Sequence, residues 1–279
     1  RHGIQVPHQL VLTATPIPRT LAMSVYGDLD TSVIDEMPPG RKPIDTLVLP
    51  EGRRPQVIEH INDACQQGTQ AYWVCPLIEE SEEIQARAAE ASFEELQTAL
   101  PDLTVELVHG RMKAKEKAER MARFASGEAQ LLVATTVIEV GVDVPNATLM
   151  VMENAERLGL AQLHQLRGRV GRGGEQSYCL LLYQTPLSLT AKRRLAVMRE
   201  TTDGFKIAEK DLELRGPGEV LGTRQTGLAG MKIADLERDS DLIAPTTTLA
   251  DAILSEAPQA AEPLIRRWLG EAAGQYGAV

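Results

Sequence analysis

Gln165-Leu-Arg-Gly-Arg-Val-Gly-Arg172 sets two arginines, Arg169 and Arg172, on a glycine-spaced turn. A guanidinium is planar, keeps its charge at any physiological pH and donates two parallel hydrogen bonds, so the pair suits the phosphate tail of a nucleoside triphosphate. Gly168 and Gly171 leave room for close approach. The bland alternative is a basic helix terminus followed by a Gly-rich turn. Upstream, Ala134-Thr-Thr-Val-Ile-Glu-Val-Gly-Val-Asp143 puts two hydroxyls, Thr135 and Thr136, at the end of an apolar run. In open parallel sheets ligands sit at the carboxyl ends of strands, where these hydroxyls and the backbone N–H groups could meet phosphate oxygens. Gly141 lets the backbone turn closely, and Asp143 is a short acceptor suited to a ribose hydroxyl. Read alone, the same stretch is equally a Thr-rich strand end with a capping Asp. No G-x-x-x-x-G-K-[ST] phosphate loop occurs, nor a D-E-x-H acidic box for Mg2+. The chain carries the arginines and lacks the cradle they would reach into.

Other candidates are weaker singly. Thr13-Ala-Thr15 is a small hydroxyl tripeptide at a strand end. His109-Gly-Arg-Met112 stands between a strand and a helix, where backbone N–H groups and Arg111 could hold a phosphate; a structural turn is the competing reading. Tyr72 and Trp73 fall on an apolar strand and read as core. His164 has neither a nucleophile in an elbow nor a partner at a metal spacing. The three cysteines, Cys65, Cys75 and Cys179, have no C-x-x-C spacing, which argues against disulfides and structural zinc and for a reducing cytoplasm.

These residues must be positioned by the elements around them. With 279 residues and a 43% hydrophobic fraction, the chain has room for one large domain or two small ones around an aliphatic core, since aromatics make up only 4%. No apolar run approaches the ~18 residues of a membrane span, so no membrane partner is expected. The net charge of −10 argues against a general nucleic-acid binder. The charge is uneven, however: glutamates from Glu79 to Glu95 crowd one segment, while Arg167, Arg169, Arg172, Lys192, Arg193, Arg194 and Arg199 crowd another. A local basic surface can bind phosphates on an acidic protein.

The pattern predicts a buried strand over 9–15 and a helix over 19–26, then a turn-rich linker, Pro38-Pro-Gly-Arg-Lys-Pro43, taken as a domain boundary. Strands follow over 45–49, 70–75, 103–108, 131–136, 148–152 and 177–183. Helices are predicted over 54–67, 81–100, 113–126 and 160–169. Alternation of this kind means a parallel α/β sheet covered by helices on both faces. Strands rich in Val, Ile and Leu rather than alternating suit a doubly covered sheet. Beyond Tyr183 a helical hairpin is expected over 187–199 and 205–214, then a Gly-rich stretch to Gly227, then helix from Ala234 to Trp268 broken at Pro245 and Pro258.

In this order the segments resemble the motifs of superfamily 2 helicases. Thr13–Thr15 is similar to motif III, Tyr72–Leu77 to motif IV, Thr135–Asp143 to motif V and Gln165–Arg172 to motif VI. Thr13-Ala-Thr-Pro-Ile-Pro-Arg19, with Asp211-Leu-Glu-Leu-Arg-Gly-Pro-Gly-Glu219 and Gly222-Thr-Arg-Gln-Thr-Gly227, narrows the resemblance to the RecG family of ATP-dependent helicases of branched DNA. The last two segments resemble a translocation motif shared with the transcription-repair coupling factor. The resemblance implies a RecA-like second motor domain in which Arg169 and Arg172 are arginine fingers and Gln165 positions triphosphate and water. Asp143 would contact the nucleotide sugar, with Gly141 beside it. His109, Gly110, Arg111, Thr135 and Thr136 would face the DNA backbone. Thr13, Thr15, Arg215, Arg224 and Gln225 would couple hydrolysis to translocation.

It further implies ATP and Mg2+ as ligands of the full-length enzyme, none held stably by this part alone. The implied partners are branched duplex DNA, a wedge domain and first motor domain preceding residue 1, and a single-stranded DNA-binding protein. Residues 1–40 would end motor domain 1, 41–185 form motor domain 2, 186–230 the hairpin and translocation motif, and 231–279 a helical tail. On this reading the chain is a C-terminal fragment and is inactive alone. The alternatives are the equivalent segment of the coupling factor and a non-catalytic DNA-binding module.

Overall fold

Six short apolar runs pair into one sheet whose central members have no polar side to show. In the computed structural model the described residues are 40–76, 82–135, 143–215 and 242–269, with isolated positions before residue 40. The strands are β1 (Ile44–Pro50), β2 (Gln70–Val74), β3 (Val105–Val108), β4 (Leu131–Ala134), β5 (Ala147–Met152) and β6 (Ser177–Tyr183). Their order is β1-β6-β5-β2-β4-β3, and every pairing is parallel. Every residue of β2, β4 and β5 is buried, whereas the edge strand β1 alternates toward solvent. A parallel sheet needs a crossover between successive strands, and helices supply four of the five: α1 (Arg54–Gln66), α2 (Glu82–Ala99), α3 (Ala114–Ala125) and α4 (Leu160–Arg167); the link from β4 to β5 lies largely outside the described residues.

Strand parity divides the core into two layers. Ala71, Trp73, Leu107, Val133, Val151 and Leu182 look toward α1 and α2, meeting Val57, Ile61, Ala89 and Leu96. On the other face Tyr72 meets Phe124 of α3, ring centroids 4.9 Å apart. Helix α5 (Leu189–Glu200) packs on β1, with the Ser188 hydroxyl capping its first turn by accepting from the Ala191 N–H at 3.1 Å. Helix α6 (Gly204–Arg215) follows directly. The RecA-like doubly covered parallel sheet anticipated from the sequence is the fold observed.

The chain divides into two compact units, one containing the sheet and reaching Asp211, the other containing the last helices. In the second unit α7 (Ile243–Glu256) and α8 (Ala261–Leu269) are joined through a short 3-10 turn at Pro258. The expected break at Pro258 is present. That at Pro245 is not: α7 runs through it, because Pro245 stands in the first turn, where a backbone N–H has no intrahelical acceptor to lose. Of the buried strand expected over 9–15 only Leu10 and Leu12 are described, and both are exposed and outside any strand; the helix expected over 19–26 lies outside the described residues, as do Thr13, Thr15, Thr136, Gly141, Arg224 and Gln225. Arg215 is the last residue of α6; its side chain is not described. Among the described residues no helix is long and apolar enough to cross a membrane.

Candidate functional site

The turn after α4 is built around one inward residue. Leu160, Leu163, Leu166 and Arg167 form the buried stripe of the helix, leaving Gln165 exposed. The helix stops at Arg167 rather than at Arg169 as the sequence suggested. Three tight bonds then wind the chain off it: Gly168 N–H to His164 O at 3.0 Å, Arg169 N–H to Leu166 O at 2.9 Å and Val170 N–H to Arg167 O at 3.3 Å. Val170 is fully buried and anchors the turn. Arg169 stays half-buried and Arg172 is exposed.

Gly171 has φ +74°, a conformation that favours glycine, and a Cβ there would also crowd Ile44 Cγ1 at 3.0 Å. Arg41 spans the turn from outside the motif. Its Nε donates to Gly171 O at 3.1 Å and its Nη2 to Gly168 O at 3.5 Å.

The loop before β5 meets this turn. A Cβ on Gly173 would lie 2.6 Å from the Pro145 carbonyl oxygen, backbone against backbone. That contact brings Asp143 to Arg172, Oδ1 to Nη1 3.4 Å. Both charges act on Tyr72, whose hydroxyl is pushed up to about 12 by burial, with Arg172 and Arg169 pulling it down and Asp143 raising it. Gly173→Ala should push the two loops apart and cost about 1–3 kcal/mol, the usual range for overpacking where neither side can yield. A urea melt of the chain checks this; an unchanged midpoint contradicts it.

The other candidates gather at the opposite end of the sheet. All strands run one way, so Asp143, Arg169 and Arg172 lie toward the amino ends of β5 and β6. His109, Gly110, Arg111 and Thr135 follow the carboxyl ends of β3 and β4. The stretch from Thr135 to Asp143 therefore has its first residue at one end of the sheet and its last at the other. The Thr135 N–H donates to Val108 O at 3.2 Å, which locks the two carboxyl ends together. Thr135 Oγ1 and His109 Nδ1 are both buried, with no hydrogen-bond partner among the described residues. Burial lowers the His109 pKa, helped by Arg120 and Lys117 and opposed by Glu90, whose carboxylate is 3.6 Å from Nε2. The imidazole is therefore neutral at neutral pH. Lys117 Nζ donates to Gly110 O at 2.7 Å, and Arg111 is exposed.

Two arginines counted as surface charge prove to be internal struts. Arg167 Nη1 donates to Met198 O at 2.8 Å, Thr201 O at 2.9 Å and Thr46 Oγ1 at 3.3 Å, while Nη2 lies 3.1 Å from His164 Nδ1. It ties α4 to β1 and to the carboxyl end of α5, and burial pulls its pKa down. Arg194 donates to Leu158 O at 2.6 Å and Glu156 O at 3.1 Å. Lys192, Arg193 and Arg199 remain exposed. For Arg167 a signal was available, since it falls seven residues after Leu160 on the inward stripe. For Arg41 none was.

Beyond β5, Glu153 forms a further buried knot. It accepts from Arg54 Nε at 3.0 Å and from Ser92 Oγ at 3.2 Å, and the Arg54 guanidinium lies 5.1 Å from the centroid of the Trp73 ring. Trp73 is thus core, as its apolar strand suggested. Among the described residues no cluster of three or more His, Cys, Asp or Glu side chains could hold a metal.

Known proteins resemble this chain in sequence and in fold. Residues 54–174 match the family "Helicase conserved C-terminal domain" and residues 201–268 match "ATP-dependent DNA helicase RecG, domain 3, C-terminal". The ATP-dependent DNA helicase RecG of Escherichia coli K12 is 64% identical over 266 residues, 95% of this chain and 38% of that protein. Its namesake in Acidithiobacillus ferridurans is 61% identical over 98% of this chain and 40% of its own length. A solved structure described as RecG bound to a three-way DNA junction superimposes with a TM-score of 0.65 at 49% identity, covering 82% of this chain and 29% of that one. The chain thus spans about two fifths of the curated relatives it matches.

Proposed function

The chain belongs to the RecG family of helicases, and we propose on that footing that it acts as the second motor domain and translocation region of an ATP-dependent DNA helicase that remodels branched DNA. The observation that carries this reading is the pair Arg169 and Arg172, half-buried and exposed, on a braced turn at one end of a sheet whose other end bears His109, Gly110, Arg111 and Thr135. Nucleotide phosphates would be met at the amino end, and the DNA backbone at the carboxyl end. The parallel strands between them form a stiff body through which closure of a cleft at one end moves contacts at the other.

In this reading Arg169 and Arg172 approach the γ-phosphate of ATP held by a phosphate-loop domain, Gln165 helps orient triphosphate and water, and Asp143, beside Gly141, serves the sugar. An exposed guanidinium turn fits an anion brought to it from a facing domain. Mg2+, when bound with the nucleotide, neutralises phosphate charge, and nothing among the described residues is arranged to ligate it. Thr136 would join Thr135 on the DNA side. Thr13, Thr15, Arg215, Arg224 and Gln225 would link hydrolysis to movement.

Residues 41–185 would be the motor domain, 186–230 the hairpin and translocation motif, 231–279 a tail, and 1–40 the end of the preceding motor domain. The partners would be a three-way or Holliday junction, the wedge and first motor domains of the same polypeptide, and a single-stranded DNA-binding protein at the fork, in the cytoplasm.

The test is phosphate release with junction DNA. The 279-residue chain alone should give no DNA-stimulated turnover, whereas a full-length enzyme containing it should. Strong turnover by the chain alone would contradict the two-part engine, because half a cleft cannot align γ-phosphate, water and arginine.

A further inference from the structure

We propose that Arg41 is a positioning residue that fixes the arginine turn in the geometry needed for hydrolysis, an inference that rests on the function proposed above. One planar guanidinium donates from Nε to Gly171 O and from Nη2 to Gly168 O, the carbonyls of the two glycines that bracket Arg169 and Val170. The bonds join residues 130 and 127 positions apart in the chain. They come from the segment that runs into the edge strand β1.

The turn needs such a brace. Helix α4 has ended, so these carbonyls have left the helical hydrogen-bond ladder. Two glycines in so short a stretch leave the backbone unusually free. The Ile44 side chain supplies the floor beneath Gly171, and Arg41, three residues earlier, supplies the clasp. Only a rigid fork can hold both carbonyls at a fixed separation; a lysine ammonium is a point donor on a flexible stem. Arg41 touches neither nucleotide nor water in this scheme. It acts through the height and tilt of the two fingers, where a misplacement of ~1 Å can cost about 100-fold in rate.

The experiment uses a full-length RecG-family enzyme carrying this chain as its second motor domain, with ATP hydrolysis measured at saturating three-way junction DNA. Arg41→Ala should lower kcat by roughly 10–100-fold while KM for ATP stays within about 3-fold, because alignment rather than ground-state binding is lost. Arg41→Lys should recover part of the rate. In an Arg172→Ala background the same Arg41→Ala change should cost less than about 3-fold more, since residues acting as one unit are non-additive. In the 279-residue chain, Arg41→Ala should speed amide exchange of residues 168–172 and leave β2, β4 and β5 protected.

Wild-type kcat in Arg41→Ala, a full multiplicative loss in the Arg172→Ala background, or loss of protection throughout the sheet would each overturn the proposal. If Arg172→Ala itself retains wild-type turnover, the arginine-finger reading falls and Arg41 with it. If Arg172→Ala is crippled and Arg41→Ala is not, only the role of Arg41 is lost.

Discussion

Arg172→Ala in the full-length enzyme is expected to lower DNA-stimulated ATP turnover by about 10³-fold or more, the range found for an arginine that meets a transferring phosphoryl group, with little change in the stability of this domain. Stability should hold because the Arg172–Asp143 pair lies at the surface, 33% and 62% exposed and 3.4 Å apart. A pair of that kind contributes about 0–1 kcal/mol. Rate should fall because a guanidinium enclosed in a closed cleft stabilises charge that grows only as the phosphoryl group departs. Arg172→Lys should rescue little, because an ammonium cannot match two oxygens at once. The loss should appear mainly in kcat, with modest change in KM for ATP. Turnover within about 10-fold of the parent enzyme would remove Arg172 from the finger role, since even one lost donor to a developing oxyanion costs about 10²–10³.

How much of this was legible in the sequence depends on whether the information is local. The six strands and their helices were, because a doubly covered sheet asks only for short runs of Val, Ile and Leu set between longer helical segments. Two of those helices end just before a left-handed glycine, Gly68 at φ +97° and Gly127 at φ +84°. The arginine turn was legible too, through Gly168 and Gly171. What stayed hidden depends on contacts between distant segments. That Thr135 and Asp143, only eight positions apart, stand at opposite ends of the sheet follows from the parallel run of β4 and β5, whereas the lateral order of the strands could not be read from the sequence. The clasp from Arg41 to Gly168 and Gly171 joins residues separated by nearly half the chain. Net charge misled in a smaller way: Arg167 and Arg194 count toward a basic surface on paper, yet their guanidinium groups are spent on backbone carbonyls inside. Pro245 misled through position, since the same residue that breaks a helix interior is harmless in a first turn.

Arg167→Leu should destabilise the chain by about 2–5 kcal/mol, although leucine would fill much of the space and remove a buried charge. Replacing a buried ionic group by an apolar one is often neutral when its partners are replaced too. Here the partners cannot be: two of them are the main-chain carbonyls of Met198 and Thr201 at the carboxyl end of α5. Each buried acceptor left without a donor costs about 1–3 kcal/mol, and the Thr46 hydroxyl and His164 ring lose a partner as well. Arg199→Ala is the matched control, because Arg199 is exposed at the same end of α5 and a surface change of this kind stays within about 0.5 kcal/mol. Urea melts of the 279-residue chain read both, and a loss below about 1 kcal/mol for Arg167→Leu would mean that water reaches those carbonyls and replaces the guanidinium. The consequence reaches the proposed function, because Arg167 lies two residues before Arg169 and α5 is followed in the chain by α6. With the strut gone, the turn that carries Arg169 and Arg172 and the carboxyl end of α5 would each be free to move without the other. ATP hydrolysis and branch migration should therefore uncouple in a full-length enzyme bearing Arg167→Leu at a temperature where it remains folded, more ATP being consumed per base pair moved.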